Sequence, residues 1–304
     1  MPFLKRTTPR LVVFSLVIAM ACGGGTAGQP AIPDTPDGTV RVVLDGLVSH
    51  HPEVVWRALP PSYQQDVNAL ATDFADTVDP AVFDRAVAVA RKAVVVLQSK
   101  KDLILSSEIL AQSQVDPETV DAFWEASVQM LDALLASNLA DLPTLREIDV
   151  DALLSTTGVV LMDSAAEMPA ENEEMVSFAE RVARWEQTEV ELLSEEGDQA
   201  LVLLTVPGEE PIEMPLVRVE DRWIPTELAS QWPQAIEEAG AKIEMLGSDE
   251  AAQTRVQVLI GIGVVEGFVD QIDQMETTDQ IDDLIGGILG NFMQHQAGPG
   301  VTEG

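Results

Sequence analysis

The sequence predicts a predominantly helical α+β fold, with an N-terminal helical bundle, one small antiparallel sheet and a set of C-terminal helices. Apolar residues recur at helical spacing over most of residues 39–170 and again over 226–295. Between them, residues 188–224 alternate in polarity and are divided by turns rich in Gly, Asp and Pro, which is typical of short antiparallel strands. Apolar residues make up 46% of the 304 residues, so a core can form although the single cysteine allows no disulfide within the chain.

The chain begins with the layout of an export signal. Three cations within residues 1–10 precede an uncharged apolar run over residues 11–21. This run is about half as long as the roughly 20 residues that a membrane-spanning helix needs. It ends in Ala19-Met20-Ala21, which places small residues at −3 and −1 of a cleavage site before Cys22. Residues 1–21 are therefore predicted to be a signal peptide.

The residues that end in Cys22 resemble the lipobox of bacterial lipoproteins. The resemblance implies that the Cys22 thiol receives a diacylglyceryl group and that Cys22 begins the mature chain. Two or three acyl chains then anchor the protein stably in a membrane. Ala19 stands where the family usually has leucine, and ordinary signal peptidase also accepts Ala-x-Ala, so a soluble secreted or periplasmic protein is the alternative. Gly23, in place of the aspartate that favours inner-membrane retention, favours the outer membrane in a cell that has one.

Residues 22–38 are rich in Gly and Pro and are predicted to be the lipid attachment followed by a flexible tether. A helical bundle of five or six helices is predicted over residues 39–170. Asp79-Pro80 and Asp116-Pro117 each place an N-cap residue before a proline, the residue favoured in the first turn of a helix. Further helices are predicted at residues 40–49, 61–78 and 149–162.

Residues 171–225 are predicted to form an antiparallel β-meander of three or four strands with a leading helix. The piece from Pro215 to Pro225, which includes Val219 and Trp223, is similar to the closing hairpin of exported NTF2-like domains, which are cone-shaped α+β folds. The resemblance implies that this pair of segments ends the sheet. The strands are predicted at residues 188–193, 199–206, 212–219 and 222–224.

The C-terminal part is predicted to be helical at residues 226–246, 249–274 and 278–293, with Ser248 and Thr277 as N-caps and residues 296–304 as a disordered tail. Residues 256–269 are the most apolar stretch of the mature chain. They are too short for a membrane span and include Glu266.

Glycines are spaced four residues apart in two of these helices, at Gly263 and Gly267 and at Gly286 and Gly290. Small residues at that spacing let two helix backbones approach closely. We expect the two helices to form a hairpin with these glycines at its contact. Self-association, or docking on another envelope protein, is the alternative use of the same glycines.

The charge of the chain excludes one class of partner. The precursor has 17 cations against 51 anions, a net charge of −34. Removal of the three signal-peptide cations leaves a net charge of −37. Nucleic acid and anionic lipid headgroups repel such a surface, so no nucleic-acid partner is expected, and the predicted contact with a membrane is through the anchor at Cys22.

No recognisable catalytic or metal-binding motif is present, so we expect no enzyme activity and no cofactor. His50-His51-Pro52-Glu53 offers metal-ligand side chains, but neighbouring side chains at a helix end point apart, and an exposed helix terminus is expected there. Asp149 and Asp151 resemble the start of a calcium loop that lacks its later ligands. Three methionines lie too far apart in sequence to suggest a copper site: Met162, Met168 and Met175.

The sequence therefore predicts an exported, lipid-anchored cell-envelope protein with an interaction or scaffold role. A module that binds a small apolar ligand between the meander and the helices is the first alternative. A hydrolase that uses a pair of carboxylates is the second, although aromatic residues at 5% supply little of the lining that a sugar cleft requires. The five tryptophans are expected in the core: Trp56, Trp124, Trp185, Trp223 and Trp232.

Overall fold

A computed structural model of the chain describes residues 31–108, 116–170 and 176–296, without the side chains at 249, 250, 252 and 288–296. The predicted signal peptide, Cys22 and residues 297–304 of the predicted tail lie outside these ranges. The predicted fold class is confirmed, since the chain is mainly helical with one small antiparallel sheet.

The first helices begin at the caps that the sequence predicts. The Asp79 carboxylate accepts hydrogen bonds from the backbone N–H groups of Ala81 and Val82, and the Asp116 carboxylate accepts one from Thr119. Each capped helix has proline in its first turn. The helices of this part are α1 Pro36–Val48, α2 Glu53–Ala58, α3 Pro61–Thr77, α4 Pro80–Ser99, α5 Lys101–Leu105 and α6 Pro117–Ala136.

The helix predicted at residues 149–162 is interrupted by a wider, π-helical turn. It consists of α8 Val150–Leu153, the π turn Leu154–Gly158 and α9 Val159–Glu167. A side chain could not be added freely at Gly158, because a Cβ there would lie 3.1 Å from Cγ of Pro52. The wide turn thus lets the start of α2 pack closely on this helix. The short helix α7 Leu142–Arg146 precedes it, and α10 Phe178–Glu186 follows it.

The sheet is a four-stranded antiparallel meander in the order β1-β2-β3-β4. The last turn places Glu220 and Asp221 at positive φ (49° and 61°), the conformation of the tight two-residue turns that suit a twisted hairpin. Only Val190 of β1 is buried, and glutamates occupy much of this exposed edge strand. The strands are β1 Glu189–Glu196, β2 Gln199–Thr205, β3 Ile212–Val219 and β4 Arg222–Pro225.

Three helices complete the fold: α11 Thr226–Leu246, α12 Asp249–Asp273 and α13 Thr278–Gln296. The hydroxyl of Ser248 accepts the backbone N–H of Ala251, which confirms the predicted cap of α12. Helix α11 packs on α3 and the last strands, α12 packs along α4, and α13 packs on α5.

The buried apolar residues form three clusters. The largest joins α2 and α3 to α7, α8 and α11, around Trp56, Leu145 and Leu228. The second lies between α1 and one face of the sheet, around Val202 and Trp223. The third is small and joins α5 to the start of α13. Trp56 and Trp223 are fully in the core as predicted, whereas Trp124, Trp185 and Trp232 are only half-buried.

Candidate functional site

The outward side of α12 carries an apolar surface that no described element covers. Val256, Ile260 and Val264 follow one another at four-residue spacing and are 62%, 62% and 68% exposed. Val265 is 53% exposed, and Gly261, one turn before Val265, is also exposed. We call these five residues the α12 face. The largest contiguous apolar patch on a monomeric protein is often its binding surface, so this face is a candidate for one.

Ion pairs hold the opposite side of α12 against α4. A guanidinium nitrogen of Arg85 lies 2.7 Å from a carboxylate oxygen of Glu266, and Lys92 pairs with Asp270. Near the start of both helices, Arg255 lies 2.6 Å from the capping carboxylate of Asp79. The pairs follow the same order along both helices, so α12 runs parallel to α4.

The charged residues and the buried apolar residues of α12 share the side that faces α4, which leaves the outward side uncharged. All charged residues between 253 and 272 point towards α4, together with the buried Val269 and the half-buried Leu259 and Ile262. At 100° per residue, the outward half of the helix over the same stretch contains only uncharged residues. A surface helix normally carries charged residues on its exposed side, so an exposed side without them over this stretch favours a further contact.

The glycines predicted at the contact between α12 and α13 have different surroundings from one another. A Cβ at Gly263 would lie 3.7 Å from the guanidinium of Arg85, and one at Gly267 would have no neighbour within 4 Å. Neither glycine therefore brings α12 against the backbone of α13, because Gly263 faces α4. Gly286 is exposed and Gly290 lies near the end of α13. Contact of these glycines with another molecule stays a prediction.

A second site of interest is a polar cluster inside the largest apolar core. Glu53 and Asp151 are each only 1% exposed, although the sequence suggested an exposed helix end at Glu53. That expectation was wrong because α2 packs its first turn on the π turn after α8. Nε of Arg57 donates a 3.0 Å hydrogen bond to Oδ2 of Asp151, and Nη2 contacts the same oxygen.

Histidines flank this cluster. Nδ1 of His51 lies 3.1 Å from Oε1 of Glu53, and Nδ1 of His50 contacts the carboxylate of Asp163 on α9. His50 has a φ of 59°, which is uncommon for a residue other than glycine. The two imidazoles thus contact different carboxylates, and among the described residues no group of three or more His, Cys, Asp or Glu side chains is placed to hold a metal ion.

The chemistry of the cluster is that of a buried ion pair. Oδ1 of Asp151 and the hydroxyl of Ser164 are buried without a hydrogen-bond partner among the described residues. Arg57 supplies the positive charge that faces the Asp151 carboxylate in the core. Sequence reasoning missed this pair because its members lie 94 residues apart. The only local signal was the start of the calcium-like motif at Asp149.

Of the clefts on the described surface, two are lined by helices and the segments next to them, away from the meander. One, of about 840 Å³, is lined by α5, α6 and Glu167 and is strongly acidic. Lys101 lies beside it, where hydrogen bonds to Asp121 and Glu125 raise the pKa of its ammonium. The other, of about 670 Å³, lies between the end of α12 and α13. Binding of a small apolar ligand stays a prediction.

An aromatic pair joins α3 to α11. The rings of Tyr63 and Trp232 stack with centroids 4.2 Å apart, and the indole N–H of Trp232 donates to Asp66 over 2.8 Å. Burial, and secondarily the negative charges of Asp66 and Glu220, raise the pKa of the Tyr63 phenol above its usual value. Each ring covers one face of the other, so this pair serves to pack α3 against α11.

In the portion of the chain that the structure describes, no helix is both long enough and apolar enough to cross a membrane. Comparison with known proteins found no similar protein-family model, no similar curated protein and no similar solved structure.

Proposed function

We propose that this protein is an exported, lipid-anchored cell-envelope protein that acts by binding another protein, as an interaction partner or scaffold. The observation that carries this proposal is the α12 face, where apolar side chains are exposed while the charged residues between 253 and 272 lie on the side of the helix that faces α4. Each buried valine or isoleucine contributes roughly 1.5–3 kcal/mol relative to an exposed one. A partner that covers this face therefore gains this burial energy on a stretch whose outward half is uncharged.

The sequence before α1 supports the location. The 13 residues between Cys22 and Pro36 span at most about 45 Å when fully extended. An acyl group on Cys22 would thus keep the folded domain near the membrane surface while the tether lets it turn. Confinement of this kind raises the effective concentration of a binding partner on the same membrane.

Acylation at Cys22 is testable by intact mass. We expect the membrane-fraction protein to have the mass of residues 22–304 plus the attached lipid, because acylation and cleavage both act at Cys22. Cys22→Ala is expected to lose the lipid mass and to leave the mature membrane-bound pool. Recovery of the wild-type chain as an unmodified soluble protein beginning at Cys22 would contradict the anchor.

Contact through the α12 face is testable in intact cells. A photo-crosslinking amino acid at Ile260 is expected to give a discrete covalent adduct, because that side chain lies at the centre of the face. The same amino acid at Leu193, an exposed apolar position on β1, serves as the matched control. The mass of the adduct identifies the partner. A diffuse or absent product at both positions would remove the support for protein contact through α12.

A further inference from the structure

We infer that the α12 face binds a second copy of this chain, with the two α12 helices related by a twofold axis near Ile260. The inference rests on the proposed function, because it names the partner of the same surface. In this arrangement Val256 of one copy lies opposite Val264 of the other, and the interface repeats itself across the axis.

Electrostatics provides the first argument. With 51 acidic residues against the 14 basic residues that remain after removal of residues 1–21, two copies repel each other over most of their surfaces. The outward half of α12 between 253 and 272 is an exception, because the charged residues of this stretch lie on the other side of the helix and are paired with residues of α4 or its cap. Over residues 253–272, two copies can therefore meet without placing one outward carboxylate opposite another. A basic partner, in contrast, would find its complement on the acidic surfaces and nothing on this face.

The shape of the face provides the second argument. Val256, Ile260 and Val264 form a ridge along four-residue spacing, the kind of ridge that packs beside an identical ridge of a second helix. A Cβ at Gly261 or at Gly267 would have no neighbour within 4 Å, so these positions leave grooves on the free surface. The groove beside the ridge of one copy can thus accept the ridge of the other.

The size of the face determines how strong the contact is. An apolar patch of a few hundred Å² is smaller than the roughly 800 Å² per partner of a stable interface. We therefore expect a weak dimer, with a dissociation constant on the order of 10–100 μM. Weak contacts of this kind suffice between proteins that are confined to one membrane, since confinement raises their effective concentration.

Sedimentation equilibrium of the full mature chain carrying Cys22→Ala tests the inference without interference from acyl chains. We expect a monomer–dimer equilibrium that strengthens with salt, because salt screens the repulsion between the acidic copies. Ile260→Glu combined with Val264→Glu is expected to weaken the dimer at least tenfold, and the matched variant Leu193→Glu is expected to leave it unchanged.

A charge exchange makes the test specific for a pair of identical helices. Ile260→Glu/Val264→Glu and Ile260→Lys/Val264→Lys are each expected to be monomeric alone and to form a heterodimer when mixed. Gly261→Leu tests the contact without a change of charge. The leucine side chain enters open space in the monomer but blocks the approach of a second helix. Circular dichroism confirms that each variant is folded.

Three outcomes would overturn the inference. They are a monomer at all concentrations up to several hundred μM, a dimer that is insensitive to these substitutions, and binding of the monomer to phosphatidylcholine vesicles through the same residues. If the crosslink from position 260 instead joins a different protein, the second copy is refuted while the proposed interaction role stands. Absence of both the dimer and the crosslinked adduct refutes both.

Discussion

Arg57→Ala is expected to lower the free energy of unfolding by about 3–5 kcal/mol, because it leaves the buried carboxylate of Asp151 without its cation. The side chain of Asp151 is 2% exposed, so the carboxylate has little contact with solvent to offset the loss of the guanidinium. One Asp151 oxygen already lacks a hydrogen-bond partner among the described residues, which makes the carboxylate more dependent on Arg57. Urea denaturation at neutral pH measures this loss as a lower midpoint with an unchanged slope.

Arg85→Ala is the matched control for this prediction. Arg85 also pairs with a carboxylate, that of Glu266, but both side chains are exposed, and such pairs contribute about 1 kcal/mol or less. Replacing both members of the buried pair, as Arg57→Met with Asp151→Leu, is expected to cost less than Arg57→Ala alone, because no buried charge remains. A loss below about 1 kcal/mol for Arg57→Ala would show that Asp151 does not depend on its pair.

Trp223→Ala is expected to cost about 3–5 kcal/mol of unfolding free energy, since it removes the largest side chain from the cluster between α1 and the sheet. Trp223 is 3% exposed, and its neighbours Val202 and Leu216 lie on the same face of adjacent strands. The surrounding strands and helix cannot fully fill the space that the indole leaves. The remaining cavity therefore adds to the free energy lost with the buried surface.

Two further substitutions identify the source of this cost. Trp223→Phe keeps much of the ring volume and removes an indole N–H without a hydrogen-bond partner among the described residues, so it is expected to cost clearly less. Trp185→Ala, at a half-buried position on α10, is the surface control. Thermal unfolding followed by circular dichroism ranks the three variants. A Trp223→Ala midpoint equal to that of Trp185→Ala would disprove the central role of Trp223.

The features that were predictable from sequence depend on neighbouring residues. Asp79 and Asp116 identify helix starts because an N-cap and a following proline act within one turn. The strand limits follow from alternating polarity, although β1 extends beyond its predicted end to Glu196. The π turn at Leu154–Gly158 gives no such local signal, since it depends on how α2 packs against it.

The sites depend on residues that are far apart in sequence. Arg85 and Glu266 are separated by 181 residues, and their pairing directs Gly263 towards α4 rather than towards α13. An apolar stretch at residues 256–269 suggests burial from its composition alone. Its exposure depends on which side of α12 carries the charges that pair with α4. That pairing exists only in the folded chain, so the sequence of α12 alone does not reveal it.

The glutamates of β1 have a consequence for how crowded copies of this protein behave. An open edge strand offers unpaired backbone groups to the edge of any neighbour, and this is how stacked sheets and fibrils begin to grow. If two β1 strands met, rows of carboxylates from Glu189, Glu191 and Glu195 would lie roughly 5 Å from those of the other copy at neutral pH. The protein can therefore be packed densely without polymerising through its sheet.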